Sequence, residues 1–151
     1  MCKTPERLKQ YDIAYMKMAR AMGDLSYAVK KKVGSIIVSP EGQIISQGFN
    51  GMPAGFDNCC EDVMPDGKLV TKIECLHAET NAISKCAKYM SSTKGATLYV
   101  TLSPCIHCAK LIVQAEIARV VYLTKYKDLS GIDLLTKCGI IVEQLITDEK
   151  I

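Results

Sequence analysis

The chain has 151 residues, enough for one domain around one core and too few for two of ordinary size. Its hydrophobic share of 48% and charged share of 23% exclude a disordered chain, and a net charge of only +3 argues against a nucleic-acid partner held by charge alone. No apolar run reaches membrane-spanning length, and residues 1–6 carry no signal-peptide core, so the chain is read as soluble, intracellular and cytoplasmic, with no membrane partner.

The first periodic segment is residues 8–22. There Leu8, Tyr11, Ile13, Ala14, Met16, Met18, Ala19 and Met22 suggest an amphipathic helix, with Thr4-Pro5-Glu6 as its cap and first turn. Lys30-Lys31-Lys32 leads into a β-branched run over 33–38, a buried strand. Pro40-Glu41-Gly42 is a turn, and residues 43–49 return as the second arm of a hairpin. Residues 50–72 are rich in Gly, Pro, Asp and Asn without a period, which predicts a long functional loop. A helix follows over 78–89, a break at Gly95 and a strand over 96–102. Ser103 reads as a helix N-cap with Pro104 at the first helical position, the helix running to about residue 115. A strand over 119–124, a helix over 132–138 stopped by Gly139, and a last strand over 140–145 complete the chain. Leu111, Ile112 and Ala115 are assigned to the core. From residue 77 onward helix and strand alternate, so part of the sheet should be parallel, with helices on both faces.

Eight cysteines would suggest a disulfide scaffold in a short secreted chain, but this chain has a full-sized core and no export signal. Cys86 and Cys138 fall in helical patterns and read as small buried apolar residues. Cys105 and Cys108 read as metal ligands, because His77-Ala78-Glu79 and Pro104-Cys105-Ile106-His107-Cys108 together offer one imidazole, two thiolates and one carboxylate. Three ligands leave a fourth tetrahedral position of Zn2+ open, and zinc lowers the pKa of a water there from 15.7 to about 7. His77 lies at one helix start, and Cys105 and Cys108 lie in the first turn of another, where a three-residue spacing puts both sulfurs on one face. The positive ends of both helices favour thiolate. Glu79, two residues from His77, can face the water without joining the ligands and is the candidate proton carrier. His107 would project elsewhere on its helix.

These two motifs resemble the His-x-Glu and Pro-Cys-x-x-Cys signature of zinc-dependent deaminases, and the chain from about Val33 to Leu145 resembles the deoxycytidylate (dCMP) deaminases of the cytidine-deaminase-like superfamily. The resemblance extends to Gly48-Phe49-Asn50-Gly51-Met52-Pro53-Ala54-Gly55, to Cys75-Leu76-His77-Ala78-Glu79-Thr80-Asn81-Ala82-Ile83, and to Leu98-Tyr99-Val100-Thr101-Leu102-Ser103-Pro104-Cys105. It implies a three-layer α/β/α fold with a central mixed five-stranded sheet, a single deaminase domain over 1–151, and hydrolysis of dCMP to dUMP, with dCTP to dUTP as a close variant. It implies that Asn50 contacts the sugar, that Ala78, Ser103 and Pro104 read the pyrimidine edge, and that Tyr126 and Lys127 lie near the 5′-phosphate. Lys30, Lys31, Lys32 and Lys125 are further phosphate candidates. It also implies a homohexamer and control by dCTP, with Mg2+, and by dTTP, through Gly48, Phe49, Gly51 and Met52. Some relatives hold a second zinc through loop cysteines and inserted histidines. Cys59-Cys60 matches the loop cysteines, but residues 27–32 hold no Cys and the chain has only two His, so one zinc ion per chain is expected, with Cys59, Cys60 and Cys75 left open.

Two other readings compete. A nucleic-acid deaminase acting on a flipped base would use the same zinc motif, but the absence of Trp and only two Phe leave few stacking groups besides seven Tyr. A non-catalytic zinc-binding assembly protein would normally have four ligands and would leave Glu79 without a task.

Overall fold

The computed structural model describes residues 4–151; residues 1–3, part of the opening stretch read for a targeting signal, lie outside the described residues. Helix α1 spans Pro5–Asp24. Thr4 caps it, its hydroxyl accepting from the Arg7 amide at 3.3 Å, with proline in the first turn, where a missing N–H costs nothing. Asp12, Ile13, Met16, Ala19 and Gly23 form its buried stripe at spacings of one, three and four. Leu8, Ala14 and Met18, read as part of that stripe, are exposed.

Strands β1 (Gly34–Val38) and β2 (Ile44–Phe49) form the expected hairpin. After the long loop come α2 (Ala78–Lys88), a strand over Thr97–Leu102, a helix over Ile106–Gln114, a strand over Arg119–Thr124, a helix over Ser130–Lys137 and a strand over Ile141–Gln144. The loop itself holds a hairpin that the sequence did not reveal, β3 (Glu61–Val63) with β4 (Leu69–Thr71). Three-residue strands are too short to show a period. The later elements are therefore β5, α3, β6, α4 and β7 in the order just given.

The central sheet has the order β2-β1-β5-β6-β7, antiparallel across β2-β1-β5 and parallel across β5-β6-β7, a mixed five-stranded sheet as expected. Side chains alternate between its faces. Ile36, Val38, Tyr99 and Val121 point to α1; Ile37, Leu98, Val100 and Val120 point to the other core, with Ala82, Ile112 and Leu135 of the remaining helices. Cys86 is buried there, but Cys138 is exposed at the end of α4 rather than buried, because that helix stops at Lys137 and the chain turns away through Gly139. Ile112 is core as read; Leu111, one position earlier, is exposed. Among the described residues no helix is long and apolar enough to cross a membrane.

Strand direction gathers the chemistry at one end of the sheet. The C-terminal ends of β5 and β6 lie together because those strands are parallel. β1 runs against β5, so its entry, residues 30–33, comes to the same end; β2 runs against β1 and delivers Asn50 there too.

Candidate metal centre and pocket

His77 is the N-cap of α2, with extended backbone (φ −77°, ψ 157°), and Cys105 is the N-cap of α3 in the same conformation (φ −75°, ψ 171°). Ser103 and Pro104 therefore precede the helix rather than starting it. The strand-like stretch persists two residues further than the Ser-Pro signal suggested, which puts Cys105 at the cap and Cys108 at the third helical position. His77 Nδ1 lies 3.5 Å from Cys105 Sγ and 3.3 Å from Cys108 Sγ, and one donor atom from each residue falls within 4.8 Å of the others. Tetrahedral zinc with ordinary Zn–N and Zn–S bonds separates nitrogen from sulfur by about 3.6 Å, so the three donors fit that ion. Their chemistry, two sulfurs and one imidazole, selects a borderline-soft metal. Thr80 Oγ1 sits 3.6 Å from Cys108 Sγ, a sulfur partner that sequence reasoning missed; its place one turn after His77 on the same helix face was the available signal.

The sulfurs share a proton unevenly. The hydrogen bond with Cys108 holds the Cys105 thiol far below its ordinary range, with His77 adding to the effect against desolvation, while the same contact and then burial push Cys108 up. His77 is raised, first by its hydrogen bond with Cys105. Glu79 is buried, 4% exposed, and burial pushes its carboxyl up to about 6, partly offset by its own backbone N–H and by His77.

These groups open into a pocket of about 380 Å³, a size suited to one small ligand. His77, Ala78, Glu79 and Cys105 line one side of it. Ser103 lines it and is buried; its hydroxyl accepts from the Tyr126 amide at 2.7 Å, which fastens Tyr126 and Lys127 over the opening. Pro104 is fully buried behind the site and does not line the pocket. Of the five lysines singled out, Lys30, Lys31 and Lys127 line the pocket; Lys32 and Lys125 do not, and Lys32 Nζ instead donates to the Asp24 carbonyl. Val33, Leu102 and Thr71 complete the wall, and all three escaped the sequence reading.

Asn50 lines the pocket with its amide already engaged: Oδ1 accepts from the Val33 amide and Nδ2 donates to the Lys31 carbonyl, both at 2.8 Å. Each end retains capacity for one more hydrogen bond. The neighbouring positions read as an effector stretch have packing roles. A Cβ on Gly48 would come within 2.7 Å of the Ala82 amide, so β2 needs glycine to lie against α2. The Phe49 ring faces Lys85 Nζ, Gly51 bridges to Leu76, and Met52 packs on Cys60 and Cys75. His107 is exposed. Cys59, Cys60 and Cys75 do not join a cluster of three metal donors among the described residues.

Residues 9–124 match the family described as the cytidine and deoxycytidylate deaminase zinc-binding region, a span that includes all three donors and Glu79. The chain belongs to this family. It is 38% identical to the human deoxycytidylate deaminase over 134 residues, covering 84% of this chain and 72% of that protein. It is 36% identical to the deoxycytidylate deaminase of Enterobacteria phage T4, covering 83% of this chain and 84% of that one. Among solved structures, the dCMP deaminase of cyanophage S-TIM5 in complex with dCMP and dUMP superposes with a TM-score of 0.82 at 42% identity, over 95% of this chain and 99% of that one. The α/β deaminase fold and a zinc-dependent hydrolase thus agree with the geometry.

Proposed function

We propose that this chain hydrolyses dCMP to dUMP and ammonia, using zinc held by His77 Nδ1 and the sulfurs of Cys105 and Cys108. The observation that carries the reading is the convergence of those three donors beside a buried carboxylate in one nucleotide-sized pocket. Its support is the similarity to proteins that bear this activity in their names. Zinc bound there supplies a Lewis acid, making water acidic enough to act near neutral pH. Glu79 would do the proton work: its carboxylate takes one proton from water as oxygen adds to C4 and passes it to the ring nitrogen, then takes the second proton from the new C4 hydroxyl and delivers it to the amine as the C4–N bond breaks and the C4 carbonyl forms. Glu79 ends as it began, and the exchange is water in, ammonia out. The raised carboxyl of Glu79 suits a group that must both accept and donate.

In this reading the Ala78 backbone and Ser103 meet the pyrimidine edge, Asn50 meets the sugar with its spare hydrogen-bonding capacity, and Lys30, Lys31 and Lys127, with Tyr126, receive the 5′-phosphate. Pro104 acts from behind by shaping the turn that carries Cys105. The reading extends to one domain over 1–151, a homohexamer acting in the cytoplasm, turnover of dCTP, and control by dCTP with Mg2+ and by dTTP through the stretch from Gly48 to Met52. The test is ammonia release by zinc-loaded protein offered dCMP, dCTP, deoxycytidine, CMP or a single-stranded oligonucleotide, with and without each triphosphate effector. Turnover of dCMP is expected. Activity on the oligonucleotide alone would move the protein to base editing, silence on all five with zinc bound would leave a structural zinc protein, and rates indifferent to both triphosphates would remove the regulatory part.

A further inference from the structure

Glu61 is a buried carboxylate, 7% exposed, that the chemistry above does not use. It opens β3 in the hairpin hidden within the long loop. Its oxygens accept from the backbone amides of Val29 and Lys30 at 3.1–3.2 Å. Two consecutive amides converging on one carboxylate form a charge-assisted clamp.

The clamp holds the exposed middle of a segment whose flanks are anchored by the buried Ser26, Ala28 and Val33. Residues 26–33 form no helix or strand. Between those flanks the Val29 side chain is 76% exposed and Lys30 and Lys31 are exposed, so side-chain packing does not fix the backbone there. Its polar groups are satisfied largely from two places. Asn50 takes the Val33 amide and the Lys31 carbonyl, and Glu61 takes the two amides before them. Between those two fastenings the chain presents Lys30 and Lys31 to the pocket. Glu61 also stands opposite Thr71 in the β3–β4 register, and Thr71 lines the same pocket. One short hairpin therefore contributes a wall residue on one strand and the clamp on the other.

We propose that Glu61 is a positioning residue for the phosphate end of the pocket: by fixing the Val29–Lys30 backbone it sets Lys30 and Lys31 against the nucleotide's 5′-phosphate. This rests on the nucleotide reading above. The clamp acts on binding of the phosphate and leaves the metal centre untouched, since it grips the lysine segment and not α2 or α3. A flexible pair of lysines would still attract an anion, but would lose the benefit of being held in place.

The test compares wild type with Glu61→Gln, which keeps the shape but can accept well at only one oxygen, and with Glu61→Asp, which keeps the charge one methylene short. For zinc-loaded protein, kcat and KM for dCMP are measured with the inhibition constants of dUMP and deoxyuridine. In Glu61→Gln, KM for dCMP and the dUMP constant should rise about five- to tenfold, with kcat within about twofold and the deoxyuridine constant unchanged. Glu61→Asp should fall between, and serves alone if the Gln variant does not fold. In a Lys30→Ala, Lys31→Ala background the Glu61→Gln effect on dUMP should vanish. An unchanged dUMP constant, or equal weakening of dUMP and deoxyuridine, or a fall in kcat of the same size, overturns the proposal. If wild type itself ignores dCMP, it is the functional reading that fails.

Discussion

Replacing Gly131 with alanine puts a methyl group against the turn that carries a metal ligand. Gly131 lies in the first turn of α4, and a Cβ there would meet the Cys105 carbonyl carbon at 2.8 Å and its oxygen at 2.9 Å, with the Pro104 oxygen nearer still. Ordinary contact begins at 3.4 Å, and these atoms are backbone, so the gap has to open by about an ångström. Neither side can give freely. Helix α4 is anchored by the fully buried Leu135, and Pro104 is fully buried. Cys105 must keep its sulfur near His77 Nδ1, where metal sites tolerate only about 0.2 Å. Overpacking of this kind costs about 1–3 kcal/mol. In a chain of this size that lowers Tm by about 3–10 °C. Distortion of the ligand turn should also weaken zinc about tenfold or more. Calorimetry and competition with a chromophoric chelator measure the two effects. A variant with the wild-type Tm would refute the packing argument. A lower Tm with unchanged zinc affinity would show that α4 gives way and that strain does not reach the ligand.

Glu79→Gln should retain zinc, keep or raise Tm because burying an amide costs less than burying a carboxylate, and lose about 10²–10⁴-fold in kcat; metal analysis beside steady-state rates decides it, and a variant keeping a tenth of the activity would remove Glu79 from the proton path. Tyr99 donates to buried Asp12 at 2.7 Å, and its hydroxyl is raised above the ordinary 10.0, first by burial and then by that bond. A folded-state value above the unfolded one means its contribution is whole below pH 10 and is lost as the pH climbs beyond it. Tyr99→Phe should therefore cost about 1 kcal/mol at neutral pH but flatten the alkaline fall in urea-measured stability between pH 9 and 11; equal slopes in both proteins would break the linkage.

What the sequence made legible was local. His77 with Glu79, and Cys105 with Cys108, are close in the chain, and metal chemistry constrains both their types and their spacing, so these residues could be read before any fold was known. The core strands were legible for the same reason, because a continuous β-branched and apolar run is written over five or six neighbours. What stayed hidden depends on distant partners. Asp12 drew no reading from the sequence, yet it is buried because Arg119, 107 positions away, grips both its oxygens at 2.8 Å. Asn50 announced a sugar contact, and its use as a fastener for residues 31–33 follows only once β2 is seen beside β1. Ser103 had the profile of a helix cap, but its hydroxyl is taken by the Tyr126 amide from the loop after β6, which the parallel pairing of β5 and β6 brings alongside.

The charges explain why the site needs so much of its structure at the phosphate end. With zinc bound, two thiolates and an ionised Glu79 outweigh the ion by one negative charge, His77 being neutral as a ligand. A nucleotide monophosphate arrives with nearly two more. Helix N-termini at His77 and Cys105 offset part of this, but they start at the metal donors themselves. In the proposed reading the remaining compensation comes from Lys30, Lys31 and Lys127, which line the pocket on segments outside regular helices and strands. Lysines on loose segments would lie wherever solvent favoured them. The Ser103 hydroxyl on the Tyr126 amide, the Asn50 amide on residues 31–33, and the Glu61 carboxylate on residues 29–30 are what turn three mobile cations into one side of a binding site. Glu61 adds a negative charge close to where the phosphate would sit, which would be self-defeating unless that charge were spent on the two backbone amides it faces.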